Sequence, residues 1–489
     1  MRILYYDIDT LRSDHLGCYG YHRNTSPNID KIASEGTIFR NCFCSDAPCL
    51  PSRASMFIGQ FGIHSGIIGH GGTAADLRLG GKGREFEDER YNAFWIKLIR
   101  NRGYHTVSIS PFAERHSAYW FYAPFKEIHN PGKKGMENAD TIRPYIEKWL
   151  NENGKKDNWF LHINTWDPHT PYRTPMDYGN PFEDDLPPSW MTQEIIDEHN
   201  KGYGARSARD ILGFSEEEKF FFKVFPRIKS PEIRTIKDFK SWIDGYDTGI
   251  HYADKLLGEI VEKIKELGIY DDTLIIISSD HGESQGELNV YGDHATADHI
   301  VNHVPMIIKW PNKKWKKEYS DYIYQTDVAA SIICGLKSKI PDSWDGRSFL
   351  GELEANQKFG RKYLVVSQMA WSCQRSVIFD NWTLIMTYHT GLKDFPKIML
   401  FDNQNDFHML HNLAEEKPDI VGRGCTFLES WYAEMMENSQ SFIDPMWTVM
   451  KEGGPYHSRG MLQNYLERLR KTGRENLVEK ILNRNETYE

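Results

Sequence analysis

Two residues with chemically versatile side chains lie close together near the N-terminus, in the pentapeptide Cys49-Leu50-Pro51-Ser52-Arg53. A spacing of four residues is about one helical turn, so Arg53 falls beside Cys49 if a helix begins here. Pro51 favours a first helical turn, where a missing N–H leaves no helical hydrogen bond unmade. We therefore predict Cys49 at a helix N-terminus, where backbone N–H groups and a guanidinium favour an anionic ligand.

Polar residues also follow apolar segments that have the composition of buried strands. Asp9 follows the segment 2–6, and the sequence Asp280-His281-Gly282 follows the strongly apolar segment 273–279. A continuous apolar run of this kind is typical of a central strand that is buried on both faces. Open α/β sheets bind ligands beyond the carboxyl ends of their strands, so Asp280 and His281 are expected at such an edge.

These segments resemble the motifs of the type I, formylglycine-dependent sulfatases of the alkaline phosphatase superfamily. Residues 49–53 resemble the motif whose Cys is oxidised to formylglycine, and residues 280–282 resemble its D-[NH]-G motif. Residues 167–172, Asp-Pro-His-Thr-Pro-Tyr, resemble a further conserved segment, and the likeness extends over nearly the whole chain. The resemblance implies a sulfuric ester hydrolase that acts on a sulfate monoester, with a sulfated carbohydrate as the expected substrate.

The resemblance also implies roles for single residues. Cys49 would be converted to formylglycine by a maturation enzyme, and one hydroxyl of the aldehyde hydrate would attack sulfur. Arg53 would support that nucleophile. A divalent cation would be held by Asp9, Cys49, Asp280 and His281. Because most of these donors are oxygens, Ca²⁺ is the first expectation, with Mg²⁺ or Mn²⁺ as alternatives.

His169 would contact the sulfate and protonate the leaving oxygen. A sugar alkoxide is a poor leaving group, so a general acid is worth roughly a hundredfold or more in rate. The structural alternative is a loop histidine that is hydrogen-bonded to a carbonyl.

The chain departs from the family pattern at the metal site. Thr10 stands where the family has a second aspartate next to Asp9. Asp7 has the same strand parity as Asp9 and is a candidate replacement. Asp14 is expected to brace a loop.

Two lysines that the family carries near the substrate are also missing. Arg115 and His116 are the nearest replacements for one, unless they form a solvated loop. Asp293 stands near the place of the other lysine, and His294 beside it is expected to contact substrate.

These departures keep two alternative functions open. One is a phosphonate monoester or phosphodiester hydrolase of the same superfamily, and the other is a non-catalytic sulfoglycan-binding relative. An intact Cys-x-Pro-x-Arg argues against the binding protein.

Composition limits the class of protein further. The net charge of −10 and the pI near 6.0 argue against nucleic acid and anionic membranes as partners. Seven scattered cysteines fit a reducing compartment better than a disulfide framework. With no signal peptide and no apolar run of membrane-spanning length, we expect a cytoplasmic protein.

Strand and helix signals alternate up to about residue 355 and change thereafter. The alternation predicts an α/β domain over 1–355, with a large, mostly parallel sheet between helices. Helices are expected at about 26–35, 91–101, 139–151 and 238–267. Residues 176–235 are expected to form an irregular insertion over the site. A smaller domain over 356–489 is expected to contain a short antiparallel sheet and one terminal helix from about 461 to 484.

Overall fold

The structure is a computed structural model that describes residues 1–77, 93–214, 227–228, 230–313, 315 and 317–484. Within these residues the strands, in chain order, are Arg2–Ile8 (β1), Thr37–Phe43 (β2), Asp46–Ala47 (β3), His105–Ile109 (β4), Glu127–His129 (β5), Trp159–Thr165 (β6), Thr273–Ser278 (β7), Ser284–Gln285 (β8), Tyr291–Asp293 (β9), His303–Val304 (β10), Met306–Lys309 (β11), Glu318–Tyr324 (β12), Tyr363–Gln368 (β13), Cys373–Phe379 (β14), Trp382–His389 (β15) and Ile398–Asp402 (β16).

The helices of the described residues alternate with these strands through most of the chain. They are Pro27–Glu35, Cys49–Ile58, Gly62–Ser65, Trp95–Asn101, Phe112–Arg115, Ala139–Asn153, Gln193–His199, Ile236–Glu266, His299–Asn302, Gln325–Gly335, Leu350–Glu354, Pro418–Glu437, Pro445–Lys451, Leu462–Lys471 and Glu475–Leu482. None of them is both long enough and apolar enough to cross a membrane.

A large sheet has the strand order β10-β2-β11-β7-β1-β6-β4-β5, and β12 pairs with β2. The central run from β7 through β5 is parallel, whereas β11 is antiparallel to both of its neighbours. Alternate residues of β1 pack on opposite faces: Leu4 and Tyr6 join one apolar cluster, and Ile3 and Tyr5 join the other. Helices therefore cover both faces, as predicted, and the carboxyl ends of β7, β1, β6 and β4 lie along one edge.

A second sheet has the order β16-β15-β14-β13-β3, and helix Pro418–Glu437 contacts β13, β14 and β15. Four of its strands lie in the C-terminal part and pair antiparallel. The fifth, Asp46–Ala47, comes from the N-terminal part and pairs in parallel with Ser367 and Gln368. Because β3 immediately precedes Cys49, the second sheet helps to position the helix that begins there. The division of the chain at residue 355 stays a prediction.

Most predicted elements are confirmed, and one is wrong. The helix predicted at about 91–101 begins at Trp95, and its predicted start at Tyr91 lies outside the described residues. The single helix predicted for 461–484 is instead two helices, Leu462–Lys471 and Glu475–Leu482. Gly473 between them has φ +72°, a left-handed backbone conformation that stops the first helix.

The two C-terminal helices are attached to residues 203–214 by one buried carboxylate. Asp210 accepts hydrogen bonds from Nε of Arg468 and from both terminal nitrogens of Arg474, each at 2.7 Å, and from the Tyr465 hydroxyl at 2.8 Å. Burial raises the pKa of Asp210, but the two guanidinium groups outweigh it and lower the pKa overall. The ionised carboxylate is therefore the stabilising form.

We expect Asp210→Asn to lower the free energy of unfolding by about 3–5 kcal/mol, because it leaves buried guanidinium groups without their charge partner. Urea denaturation at neutral pH measures this. Since the folded pKa is depressed, the contribution is present above the unfolded pKa and is lost as pH falls through the folded one. Lys480→Ala, which removes a solvent-exposed pair with Asp394, is the control and should cost less than about 1 kcal/mol. Equal losses in the two variants would contradict the prediction.

Candidate active site

Parallel pairing of two central strands brings two distant acidic residues together. Asp7 and Ser278 are register partners in β1 and β7, so Asp9 and Asp280 emerge side by side at the carboxyl edge. The backbone N–H of Thr10 donates to Asp280 Oδ1 at 3.2 Å across this junction. Both carboxylates are almost completely buried.

The helix Cys49–Ile58 begins at this same edge, as the sequence predicted. Cys49 is its first residue, and its Sγ lies 3.2 Å from Nε2 of His281. The Ser52 hydroxyl donates to the carbonyl of Asp280 at 2.6 Å and so fixes the first turn of the helix against the Asp280-His281 turn. The thiol is therefore held within reach of the acidic pair.

Arg53, one turn along this helix, is shared by three carboxylates. Its Nη1 donates to Asp9 Oδ2 at 2.9 Å and to Asp280 Oδ2 at 2.5 Å, and its Nε donates to Asp7 Oδ2 at 3.0 Å. Burial and the neighbouring Asp280 raise the pKa of Asp9. Burial also raises the pKa of Asp280, but the Arg53 charge outweighs it and the net shift is downward. One guanidinium thus faces three acids, and the cluster has a deficit of positive charge.

A divalent cation fits this cluster. Asp9, Cys49, Asp280 and His281 each offer one ligand atom, and these atoms lie within 4.8 Å of one another. Within the described ranges of the chain, the buried Oδ1 of Asp9 has no hydrogen-bond partner. Carboxylate oxygens that lack a donor, in a cluster with excess negative charge, are what a hard cation requires.

Thr10 and Asp7, whose part in the metal site the sequence left undecided, have other contacts. The Thr10 hydroxyl donates to the carbonyl of Asp9 at 2.7 Å. Oδ2 of Asp7 is engaged by Arg53 and lies 3.3 Å from Nε2 of His162. Neither residue joins the four-residue group above. Asp14 forms an ion pair with Arg12 at 2.7 Å, consistent with the bracing role expected for it.

A cavity of about 1370 Å³ opens over Cys49, and the other residues predicted to contact substrate line it. These residues are Arg115, His116, His169 and His294. Arg115 lies over the Trp166 ring at 5.0 Å, and its Nε has no hydrogen-bond partner among the described residues. The cavity therefore presents a guanidinium that is available to an anion.

The orientation of His169 is fixed by backbone contacts. Its Nδ1 lies 2.5 Å from the carbonyl oxygen of Thr170, which can only accept a hydrogen bond. In the neutral ring, Nδ1 therefore carries the proton and Nε2 is unprotonated. Nη1 of Arg173 donates to the carbonyls of Trp166 and His169, at 3.2 and 2.9 Å, and holds the loop. Burial, Arg115 and Arg173 lower the pKa of His169 well below its usual value. In the free protein the imidazole is therefore neutral near pH 7.

His294 has the opposite electrostatic environment. Its ring nitrogens lie 3.6 Å from Glu283 and 3.7 Å from Asp293. Burial lowers the pKa of His294, but these acids outweigh it and raise the pKa overall. Asp293, which stands near the place of a family lysine, is itself paired with Arg206 at 3.2 Å. The acid at this position thus has a protein partner.

One wall of the cavity was not found from the sequence. Tyr456, His457 and Arg459 line it from the segment after helix Pro445–Lys451. His457 Nε2 lies 2.9 Å from Nδ1 of His70, and the Trp371 ring stacks on His457 at 4.3 Å. The local signal was only a Gly-Gly-Pro turn at 453–455. The predicted insertion does contribute to the cavity, through Arg206 and Phe214.

Comparison with known proteins identifies the family. The Sulfatase family model matches residues 3–334, so the chain belongs to the sulfatase family and is a sulfuric ester hydrolase. It is 22% identical to an endo-4-O-sulfatase of Bacteroides thetaiotaomicron, a match that covers 88% of each chain.

Solved structures share the fold. One is a protein in complex with its substrate D-glucosamine-2-N,6-O-disulfate, with TM-score 0.71, 17% identity and coverage of 91% of this chain and 99% of that one. Another is a phosphonate monoester hydrolase from Silicibacter pomeroyi, with TM-score 0.66, 19% identity and coverage of 90% and 96%. The expected architecture, a large sheet between helices with a smaller antiparallel sheet, is confirmed.

We expect a divalent cation to stabilise this protein, because it relieves the charge deficit around Arg53. Thermal unfolding is measured after chelation and again with excess Ca²⁺, Mg²⁺ or Mn²⁺. A cation at a hundred times its Kd should add about 2.7 kcal/mol to the unfolding free energy. Asp9→Asn should abolish most of this response. Asp14→Asn, which alters a neighbouring acid outside the cluster, should retain it, and a lost response in both variants would contradict the assignment.

Proposed function

We propose that this sulfatase removes a sulfate monoester from a carbohydrate and that Cys49, converted to formylglycine, is its nucleophile. The observation that carries the proposal is the position of Cys49. It begins a helix directly over Asp9, Asp280 and His281, with Arg53 one turn away. A thiol that serves only packing is expected among apolar side chains. Cys49 instead lies beside four buried polar residues, and burying polar groups is costly unless they are paired.

Formylglycine, as its hydrate, would supply an oxygen nucleophile for sulfur. Asp9, Asp280 and His281 would hold a divalent cation, Ca²⁺ before Mg²⁺ or Mn²⁺, and it would acidify that hydrate. Nη1 of Arg53 donates to the carboxylates of Asp9 and Asp280. The guanidinium would place positive charge beside the attacking oxygen of the hydrate. Asp7 holds the other side of the guanidinium and keeps it from turning away.

Three residues on the cavity wall would hold the sulfate group. Arg115 offers a guanidinium whose Nε has no hydrogen-bond partner among the described residues, and planar guanidinium groups bind oxyanions well. Burial lowers the pKa of His294, but Asp293 and Glu283 outweigh it and raise the pKa overall, so an imidazolium at this position would add a second positive group. His116 lies beside Arg115 with a buried Nε2 that has no partner in the described residues.

His169 would donate the proton that the leaving oxygen requires. Burial and then the Arg115 charge lower the pKa of His169 in the free protein, and a sulfate bound to Arg115 would offset that charge. Substrate binding would therefore raise the pKa of His169 and favour its acid form when it is needed.

A carbohydrate is the substrate class that the cavity fits best. Its volume of about 1370 Å³ exceeds what a sulfate and a small alcohol fill, and Tyr456, which is exposed on the cavity wall, offers an aromatic ring on which a sugar can pack. The similar structure bound to a disulfated glucosamine supports this class. A formylglycine-generating enzyme is the proposed maturation partner, and the cytoplasmic location stays a prediction.

The first experiment joins mass spectrometry to kinetics. Protein co-expressed with a formylglycine-generating enzyme is digested, and the peptide that contains residue 49 is weighed. We expect the thiol mass to be replaced by that of an aldehyde or its hydrate. The same preparation should then hydrolyse an aryl sulfate faster than an aryl phosphodiester.

Either part can contradict the proposal. An unmodified Cys49 under these conditions would favour the binding-protein alternative. A modified Cys49 with faster phosphodiester hydrolysis would favour the phosphonate or phosphodiester hydrolase. Cys49→Ala protein, prepared in the same way, is the control for contaminating activity.

His169→Ala tests the proton donor through the leaving group. We expect kcat with a sulfated sugar to fall roughly a hundredfold or more, because its alkoxide must be protonated. With 4-nitrophenyl sulfate, whose phenolate leaves unaided, the fall should be much smaller. Equal falls with both substrates would contradict the role of acid and indicate sulfate binding instead. His22→Ala, a histidine that does not line the cavity, is the control and should change neither rate.

A further inference from the structure

A set of sulfur and nitrogen donors meets in the active-site cavity beside the oxygen donors. Cys49 offers Sγ, and His281 and His294 each offer one ring nitrogen. The three ligand atoms lie within 4.8 Å of one another, and all three residues are buried. We propose that the protein with an unmodified Cys49 thiol binds Zn²⁺ through Cys49, His281 and His294.

His281 is already oriented as a metal ligand. Its Nδ1 lies 2.7 Å from the carbonyl of Gly282, which can only accept, so Nδ1 carries the proton. Nε2 is therefore unprotonated in the neutral ring and lies 3.2 Å from Sγ of Cys49. Metal-ligating histidines typically have their second ring nitrogen fixed by such a carbonyl.

His294 completes the set because a metal would displace only its longer ion pairs with Glu283 and Asp293. Its side chain is 8% exposed, and the buried Nδ1 has no hydrogen-bond partner in the part of the chain that the structure describes. The nearest acids, Glu283 and Asp293, lie 3.6 and 3.7 Å from its ring nitrogens, beyond hydrogen-bond distance. The ring centroids of His294 and His281 are 4.4 Å apart, so both rings face the same small volume.

Donor chemistry favours zinc over a hard cation for this set. Thiolate and imidazole are the donors that Zn²⁺ takes most often, whereas Ca²⁺ and Mg²⁺ require oxygen. Asp9 and Asp280, the oxygen donors, are both engaged by Nη1 of Arg53. The ion-pair partners of Arg53 among the described residues are Asp7, Asp9 and Asp280, so the sulfur and nitrogen donors do not compete with it.

Binding forms one zinc–sulfur bond and two zinc–nitrogen bonds, as the thiol proton and any proton on the ligating nitrogen of His294 leave to solvent, and it leaves a fourth position open. The formylglycine form has no sulfur at residue 49 and keeps only the oxygen donors and His281. Maturation would therefore change the metal preference of the same cavity from zinc to a hard cation. The zinc form would hold the unconverted protein in an inactive state, with its thiol shielded from oxidants.

Cobalt substitution tests the proposal on the full chain. Protein made without a maturation enzyme, with a free Cys49 verified by mass, is freed of metal and titrated with Co²⁺. We expect a thiolate-to-cobalt charge-transfer band in the near ultraviolet that Zn²⁺ abolishes by displacement. Zinc affinity then follows from competition with a chromophoric chelator.

Matched variants separate the two donor sets. Cys49→Ser should abolish the band, and His294→Gln should weaken zinc binding at least about tenfold. Asp9→Asn should keep the band, since Asp9 supplies no ligand to this set, and Asp14→Asn, an acid outside both donor sets, should leave the band and the zinc affinity within about twofold. A band that His294→Gln leaves unchanged, or that Asp9→Asn removes, would overturn the proposal.

A measurement on the unaltered chain guards against variants that fail to fold. Zinc X-ray absorption should show one sulfur at about 2.3 Å and nitrogen neighbours at about 2.0–2.1 Å. A shell of oxygen neighbours alone would overturn the proposal. Because both tests use the thiol form, their failure leaves the sulfatase reaction untouched, and a failed sulfatase assay leaves them valid.

Discussion

The site depends on the sharing of one guanidinium by three carboxylates. Arg53 binds Asp7, Asp9 and Asp280, which come from two strands, while Arg53 itself comes from a helix. Burying this many charges is costly, and it is tolerated only because each acid finds the same cation. The arrangement attaches helix Cys49–Ile58 to the sheet edge. Because one guanidinium faces three carboxylates, the cluster keeps an excess of negative charge. That remainder is what prepares the site for a divalent cation, so fold and function rest on the same contact.

Segments from the N-terminal and C-terminal parts of the chain lie together at the cavity. Strand β3 ties the segment before Cys49 to the C-terminal sheet, and His70 contacts His457 across the cavity wall. The C-terminal helices are in turn attached through Asp210 to the segment that carries Arg206. The reactive floor is thus built from parallel strand ends, whereas the walls that meet the substrate come from loops and the C-terminal segment. Under the proposed function, this division would let the walls change specificity without disturbing the nucleophile.

The pKa values of two neighbouring histidines in the cavity are shifted in opposite directions by their surroundings. Burial lowers the pKa of both rings, and Arg115 and Arg173 lower the pKa of His169 further, whereas Asp293 and Glu283 outweigh burial and raise the pKa of His294. The two rings are 5.8 Å apart, so the difference comes from their charged neighbours and not from burial alone. At the two positions where the family lysines are missing, the structure has Arg115 on the cavity wall and an ion pair between Arg206 and Asp293.

The sequence by itself determined the reactive floor. The resemblance to family motifs singled out Cys49, Arg53, Asp9, Asp280 and His281, and helical spacing and strand ends predicted where these residues lie. Only the tertiary structure decided what surrounds them. The contact of Asp7 with Arg53 and that of His457 with His70 join segments that are distant in the chain, and the break of the terminal helix at Gly473 depends on one backbone angle. No local pattern encodes such contacts, because they arise from the order in which strands pair and not from the residues beside them.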